Sequence, residues 1–494
     1  MTALVHDLGL AQVGRCFPED PRDARPRSAT ETVLFQAVSD HLETFLDHME
    51  GQGHPLPSWI EARLREFLRC GQPQYGFVRV RCHPCGVDRV VPFSCKVRGL
   101  CPSCGGRRMA DLAAHWLDHM LPDVPIRQWV LTLPWPLRYR LAWDPALLAE
   151  VLAVHLRVLF RWQELRAKRI GSKAVQSGAI TAIQRFGSAL NLNPHFHSLV
   201  PDGVFVEKAH GVDFVRLPEP SDEDVGIVVA TIRRRVLRLL HRRGMLDEGC
   251  QDPDLLLMDE PCLARFYGAS IQGRLASGAR AGQRVKRLGS VPGAPWIEMD
   301  SPQCARIEGF SLHAQVFIEA GRRDHLERLC RYIARPSVAG GRLRRLENGT
   351  LSYELKRRWS DGTSHVLFEP LELLEKLVAL MPRPWTHLVR YHGVFAPNAR
   401  LRSRVVPRQS DQRDAALQEG ASAQPTSGKR RRVLPWAELM KRVFMVDVLA
   451  CPRCGSTMSI ISVLRDPDVV EKFLVCLGIS PTPVVPAQSR APPF

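Results

Sequence analysis

Five cysteines crowd between Cys82 and Cys104, and four of them form two CxxC pairs, Cys82-His83-Pro84-Cys85 and Cys101-Pro102-Ser103-Cys104. Few sequence features restrict a fold more tightly. Two knuckles separated by fifteen residues are able to close on one tetrahedral ion, and four thiolates suit zinc in a closed structural site. In a reducing compartment such crowding reads as metal binding, not as disulfides. The expectation is a small zinc-ribbon-like unit built on Cys82, Cys85, Cys101 and Cys104, with structural Zn2+. Cys95 is a fifth thiol and His83 an alternative nitrogen ligand, so the set of four stays open. Lys96, Arg98, Arg107 and Arg108 flank the knuckles as candidates for phosphate contact, against the ordinary alternative of a solvated charged face.

The charge of the whole chain points the same way. Lysine and arginine total 68 against 51 aspartates and glutamates, a formal charge of +17 over 494 residues. Such an excess favours a polyanionic partner, nucleic acid first. A hydrophobic content of 45% is that of a multidomain globular protein. No apolar run reaches the roughly eighteen residues of a spanning helix, and the N-terminus lacks a basic-then-apolar signal. No membrane attachment and a cytoplasmic location are expected.

Apolar positions at helical spacing over 28–69 predict two helices ahead of the cysteines. Residues 126–133 (IRQWVLTL) read as a strand stopped by Pro134 and Pro136, and 145–169 as a long amphipathic helix with Pro145 in its first turn. Residues 178–186 are β-rich. A polar turn at 191–194 separates them from a second apolar run over 195–206, broken at Pro201-Asp202-Gly203, so a hairpin carrying histidines is expected. A basic helix over 222–245, a strand over 309–318 (GFSLHAQVFI), a helix over 323–334, a hairpin around Ser360-Asp361-Gly362 and a helix over 370–380 follow. Residues 407–432 are small, polar and basic at the end, as a solvated linker is.

On a strand, residues two apart share a face, so His195 and His197 offer two imidazoles to one ion while Phe196 turns into the core. A lone HxH is weak, because two ordinary strand histidines look the same. Two histidines leave coordination positions free for a phosphate oxygen, which the ion would polarise as a Lewis acid. A nucleophile is then needed. Tyr332 lies on the helix after the GFSLHAQVFI strand, with Arg328, Arg331 and Arg335 near it in sequence to hold phosphate or stabilise developing charge. Six tyrosines make selection by position alone unsafe, the bland alternative being a packed surface tyrosine.

The segments FSCKVRGLCPSCGGRRMA, RQWVLTLP, QRFGSALNLNPHFHSLVPDGVF, GFSLHAQVFIEA, LCRYIARP and RYHGVFAPN resemble the transposases of the insertion sequence 91 family, bacterial enzymes of the HUH class. The resemblance runs from about Leu56 to Pro407 in the same order. It implies an α+β fold with an HUH-type antiparallel sheet and flanking helices, and His195 and His197 as the pair binding Mg2+ or Mn2+. It also implies that Tyr332 forms a 5′-phosphotyrosine and releases a 3′-hydroxyl, in rolling-circle-like transposition on single-stranded DNA. Some family members carry a second catalytic tyrosine four residues later. This chain has Pro336 there and resembles the single-tyrosine branch. HUH sites take a third ligand from a nearby polar side chain, here Gln184 in preference to His313. The expected domains are a helical segment 1–69, a zinc-binding domain 70–120, a catalytic domain 121–406, a flexible basic linker 407–433 and a small C-terminal unit 434–494.

That C-terminal unit contains Cys451-Pro452-Arg453-Cys454, followed only by Cys476. It is half a zinc site, completed by distant residues or a partner chain, or else an unmetallated turn. Three alternative functions compete with transposition. A zinc-dependent DNA-binding protein without catalysis would explain the cysteines and charge but not the histidines. A replication initiator or relaxase would share the cutting chemistry. A metallohydrolase built on HxH suits the sequence least, because position 199 is leucine where HxHxDH needs aspartate.

Overall fold

The structure is a computed structural model that describes residues 29–209, 211–246, 254–290, 301–407, 437 and 447–490. The linker expected at 407–433 lies, beyond its first residue, outside the described residues.

The chain enters through α1 (Val33–Gly51), whose N-cap Thr32 accepts from Phe35 N, and α2 (Ser58–Leu68). A hairpin of β1 (Phe77–Arg81) and β2 (Asp88–Pro92) leads into α3 (Pro102–His119), with proline where an unpaired N–H costs nothing. Next come β3 (Ile126–Thr132), α4 (Trp135–Trp143) and α5 (Pro145–Arg169), the last capped by Asp144. The strands β4 (Val175–Gln176), β5 (Gly178–Phe186), β6 (Leu192–Pro201), β7 (Gly203–Lys208) and β8 (Gly211–Arg216) precede α6 (Asp222–Arg242), which starts in a capping box of Ser221 and Asp224. After α7 (Leu255–Asp259), α8 (Pro261–Ile271) and β9 (Lys286–Leu288) come β10 (Cys304–Ile307), β11 (Phe310–His313), β12 (Phe317–Ile318) and α9 (Arg323–Ile333). The body closes with β13 (Leu343–Arg345), β14 (Leu351–Glu354), β15 (His365–Phe368), α10 (Pro370–Leu380), β16 (Val389–Gly393) and α11 (Arg402–Val405). The C-terminal segment adds β17 (Ser459–Leu464) and α12 (Pro467–Cys476).

The central sheet runs β10-β11-β3-β6-β5-β16, with β12 also on β3, and every pairing in it is antiparallel. This is the expected α+β architecture. Helices cover both faces, which is why β5 and β6 are buried nearly along their whole lengths. On one face Trp129, Leu131, Phe196 and Val200 pack against α5 and α6 through Val151, Leu152, Val229 and Ile232. On the other, Ile180, Ala182 and Leu199 meet Ala113 and Trp116 of α3 and Leu326, Leu329 and Cys330 of α9. Burying each large aliphatic side chain contributes about 1.5–3 kcal/mol. The two-residue period of β6 therefore sends Phe196 to the first face and His195, His197 and Leu199 to the second.

Two details depart from the sequence-based expectation. The hairpin turn lies at 187–191, closed by Gly187 N donating to Asn191 O at 2.8 Å, and β6 begins at Leu192. A β-carbon at Gly187 would lie 2.2 Å from Asn191 Oδ1, so glycine permits this tight closure. The GFSLHAQVFI strand is split into β11 and β12, both on β3. Arg127, almost fully buried, pairs with Asp202 at 2.8 Å and donates to Ala314 O at 3.0 Å, drawing the backbone out of the ladder to satisfy a buried guanidinium.

Packing is shared between the N-terminal helices, the cysteine region, the body and the C-terminal segment. Residues of α1 and α2 share a core with α10, β14 and the cysteines at the start of α3. β17 pairs with β1, and the tail reaches α1 through Ala487 N donating to Ser39 O at 2.8 Å.

Burial leaves a pH signature. His155 is wholly buried against Phe196, and desolvation pushes its pKa down to about 3; His195 and His197 are lowered by the same cause. These imidazoles are neutral when folded, whereas the unfolded chain binds protons below about pH 6.5. Stability is therefore expected to fall as pH drops from 6.5 towards 4, by on the order of 1–3 kcal/mol. Urea unfolding at pH 7 and pH 4.5 measures this, and His155→Leu should flatten the slope; an unchanged slope would count against it.

Candidate active site and metal centres

The second face of the sheet carries the site because register aligns three polar side chains there. Gln184 of β5 sits opposite His195 of β6, and His197 sits two residues along the same strand. The His195 and His197 Nε2 atoms are 3.0 Å apart. His195 Nδ1 lies 2.7 Å from Asn193 O, and a carbonyl only accepts, so Nδ1 holds the proton and Nε2 presents its lone pair. The Gln128 side-chain amide of β3 is 2.6 Å from His197 Nδ1; with the amide turned so that its oxygen accepts there, Nδ1 holds the proton and His197 Nε2 presents its lone pair. Burial, then the Arg335 and Arg138 guanidiniums, hold His195 down at about 4 despite the Asn193 bond. Burial, then the His195 and Arg335 charges, hold His197 well below its ordinary range. Both imidazoles are neutral at neutral pH.

These residues fit a divalent cation. Cis donors about 2.1 Å from an octahedral ion lie about 3 Å apart, close to the observed Nε2 separation. Gln184 donates through Nε2 to Ile333 O at 2.6 Å, but its Oε1 is buried without a hydrogen-bond partner, an acceptor oxygen left over beside the two imidazoles. His313 is two strands away from His197, across Val130, and its Nε2 contacts Ser311 Oγ at 3.0 Å.

Tyr332, on the last turn of α9, is brought over the pair. Its ring stands edge-on to His197 with centroids 6.2 Å apart. The Gln184 bond to Ile333 O pins this end of α9 to β5. Arg335 and Lys356 each lie 4.2 Å from the Tyr332 ring centroid. Burial alone would raise the phenol pKa, but Arg335, Lys356 and Arg357 outweigh it and the net shift is downward. The other tyrosines are placed elsewhere: Tyr139 donates to Asp254, Tyr391 accepts from Trp116 Nε1, Tyr353 accepts from Ala339 N, Tyr267 is fully buried in the α1–α10 core, and Tyr75 lies under Arg69. Lys356 and Arg357 were not singled out in the sequence, although the run Lys356-Arg357-Arg358 was visible in it. Gln128 also escaped notice, as one polar residue inside an apolar strand.

Of the basic residues expected near DNA, Arg328 of α9 is exposed, and Arg331 and Arg335 are partly buried beside Tyr332. Lys96 and Arg107 are exposed on the cysteine knuckle. Arg98 instead donates to Thr386 O at 2.6 Å and Arg108 to Lys96 O at 3.2 Å, so both brace the backbone.

The cysteines require a correction. Cys82, Cys85, Cys101 and Cys104 do not share a site: the structure gathers Cys70, Cys95, Cys101 and Cys104 in one group and Cys82, Cys85, Cys451 and Cys454 in another. The hairpin explains the split. Cys70 and Cys95 lie at its base and Cys82 and Cys85 at its tip, and a five-residue strand spans about 16 Å, too far for one ion. In the first group the sulfurs of Cys70 and Cys101, Cys70 and Cys104, and Cys95 and Cys104 are 3.7, 3.7 and 3.6 Å apart. Sulfurs held 2.3 Å from a tetrahedral zinc lie about 3.8 Å apart. Backbone N–H groups of Lys96 and Val97 donate to Cys104 and Cys95 at 3.3 and 3.4 Å, as suits thiolates. His83, the alternative ligand, bonds Ser459 Oγ at 2.8 Å.

This first group abuts the active site. The first turn of α3 meets the residues after α9, and a β-carbon at Gly105 would lie 2.5 Å from Pro336 Cβ. Ser337 Oγ donates to Gly99 O at 2.8 Å.

Residues 178–403 match a family model described as "Putative transposase", and residues 37–133 match one described as "Transposase zinc-binding domain". No curated protein and no solved structure matches the chain. The fold and the two matches define the class: a transposase, and so a DNA-processing enzyme. More narrowly, the two matches together support a transposase of the insertion sequence 91 family. The matched zinc-binding domain contains the whole Cys70, Cys95, Cys101 and Cys104 group and supports structural zinc. None of the described helices is long and apolar enough to cross a membrane.

Proposed function

We propose that the protein cuts and rejoins single-stranded DNA at the ends of a mobile element through a 5′-phosphotyrosine on Tyr332. The observation that carries this reading is the convergence of Tyr332, His195, His197 and Gln184 on one face of the sheet, under Arg335 and Lys356. His195 Nε2, His197 Nε2 and Gln184 Oε1 would hold Mg2+ or Mn2+, which supplies Lewis-acid polarisation of the scissile phosphate. Tyr332 Oη attacks phosphorus in line, the bond from phosphorus to the 3′-oxygen breaks, and the phenol proton is lost while the departing 3′-oxygen gains one. Arg335 and Lys356 favour the phenolate and offset charge developing on the phosphate oxygens. The phosphotyrosine keeps the bond energy of the phosphodiester, so a 3′-hydroxyl is able to reverse the step at a new strand. With Pro336 packed on Gly105, one tyrosine serves both steps. We place element-end recognition at the zinc-bound knuckle, with Lys96 and Arg107 on phosphates.

Strand polarity tests the reading. With a single-stranded element-end oligonucleotide and Mn2+, a label on the 3′ side of the cut should migrate with the protein and a label on the 5′ side should end in a free 3′-hydroxyl. The opposite polarity would exclude a 5′-phosphotyrosine.

Lys356→Met removes one of the cations that lower the phenol pKa. The midpoint of the pH–rate profile of cleavage should move to higher pH, with up to about a tenfold loss of rate at pH 7. A profile with unchanged midpoint would show that Lys356 does not act through the phenol.

A further inference from the structure

The second cysteine group lies half outside both regions of family resemblance, since Cys451 and Cys454 follow residue 403. We propose that Cys82, Cys85, Cys451 and Cys454 bind a second structural zinc ion that clasps the C-terminal segment to the N-terminal hairpin. The sulfurs of Cys82 and Cys454, Cys85 and Cys451, and Cys85 and Cys454 are 3.4, 3.4 and 3.6 Å apart, and all four lie within 4.8 Å of one another. That is the compactness of a tetrathiolate zinc site.

The two halves are built alike. Each CxxC turns tightly, with Gly86 N donating to Cys82 O at 2.8 Å and Gly455 N donating to Cys451 O at 2.9 Å. Gly86 and Gly455 both have φ of 72°, a left-handed conformation that favours glycine. Two matching knuckles from opposite ends of the chain face each other, as in a zinc ribbon, with Val80 and Met458 buried between them. Cys82 and Cys451 are buried, all four cysteines are free thiols, and the apolar core beside them is small, the setting in which a metal ion supplies stability that packing alone does not.

The clasp has consequences along the chain. From Cys454 the segment runs into β17, which extends the hairpin by pairing Leu464 with Phe77 and Ser459 with Arg81. α12 then seats Val470 and Leu474 on Phe77. Beyond it, Val484 N donates to Gln72 Oε1 at 2.8 Å and Arg490 N to Thr44 Oγ1 at 3.0 Å. Gln72 is two residues from Cys70, so the second ion would fix the segment that lies over the first.

Zinc stoichiometry of the full chain tests this independently of cleavage. Elemental analysis of protein purified without added metal should give two zinc ions per chain, and Cys451→Ser/Cys454→Ser should give one. Because that variant stands to loosen the C-terminal segment, wild-type apoprotein is also titrated with Co2+. The tetrathiolate visible absorption should rise to two equivalents, and the variant's should stop at one. One equivalent in the wild type, or two in the variant, overturns the proposal.

Discussion

Tyr332→Phe is expected to reduce strand cleavage by at least about 10³-fold and to abolish any covalent protein–DNA adduct. Phenylalanine keeps the ring that stands against His197 and under Arg335 and Lys356, so folding and zinc content should not change. Affinity for single-stranded DNA should stay within about threefold, since removing one hydroxyl removes little binding. The comparison that matters is thus cleavage against binding, measured on one preparation. If cleavage and adduct persist at the wild-type rate, the nucleophile lies elsewhere. If neither protein cleaves any substrate while both bind DNA, a DNA-binding protein without catalysis is the better reading.

The second large effect concerns the histidine pair. His197→Ala should lower Mn2+-dependent cleavage by about 10²–10⁴-fold, because it removes one of the three proposed donors and the ring that Gln128 contacts. The neutral state of both imidazoles adds a pH signature. Their pKa values are depressed by burial, so proton competition for the metal should begin well below pH 6.5. In the wild type, the Mn2+ concentration giving half-maximal cleavage should be nearly constant from pH 8 to pH 6. A steep rise over that range, or near-normal cleavage by His197→Ala, would contradict a cation held by this pair.

How far the sequence reached differs from one feature to the next, and the differences have physical causes. The strand 178–186 and the helices 145–169 and 370–380 have the expected bounds, since each is set by a local signal such as Pro145, Pro370 or a β-rich run bounded by Gly178 and Gly187. The HxH pair was legible for a similar reason: a two-residue period decides its face. The cysteine grouping was not. CxxC spacing says that each pair forms a knuckle, but the partner of each knuckle is decided by a hairpin that separates Cys82 and Cys85 from Cys101 and Cys104, and by a strand pairing across more than 370 residues, between Arg81 and Ser459. Such long-range pairing leaves no periodic trace. The cage of Tyr332 is a similar case, because Lys356 reaches it from the far end of β14 while Arg335 is local.

That one tyrosine carries the DNA is tested most directly by mapping the bond. Wild-type protein is incubated with single-stranded element-end DNA and Mn2+, digested with nuclease and protease, and the nucleotide-bearing peptide is sequenced by mass spectrometry. Expected is a single modified peptide with a 5′-linked nucleotide on Tyr332. A modified residue other than Tyr332, or cut DNA bearing a free 5′-phosphate and no modified peptide at any time point, would contradict it.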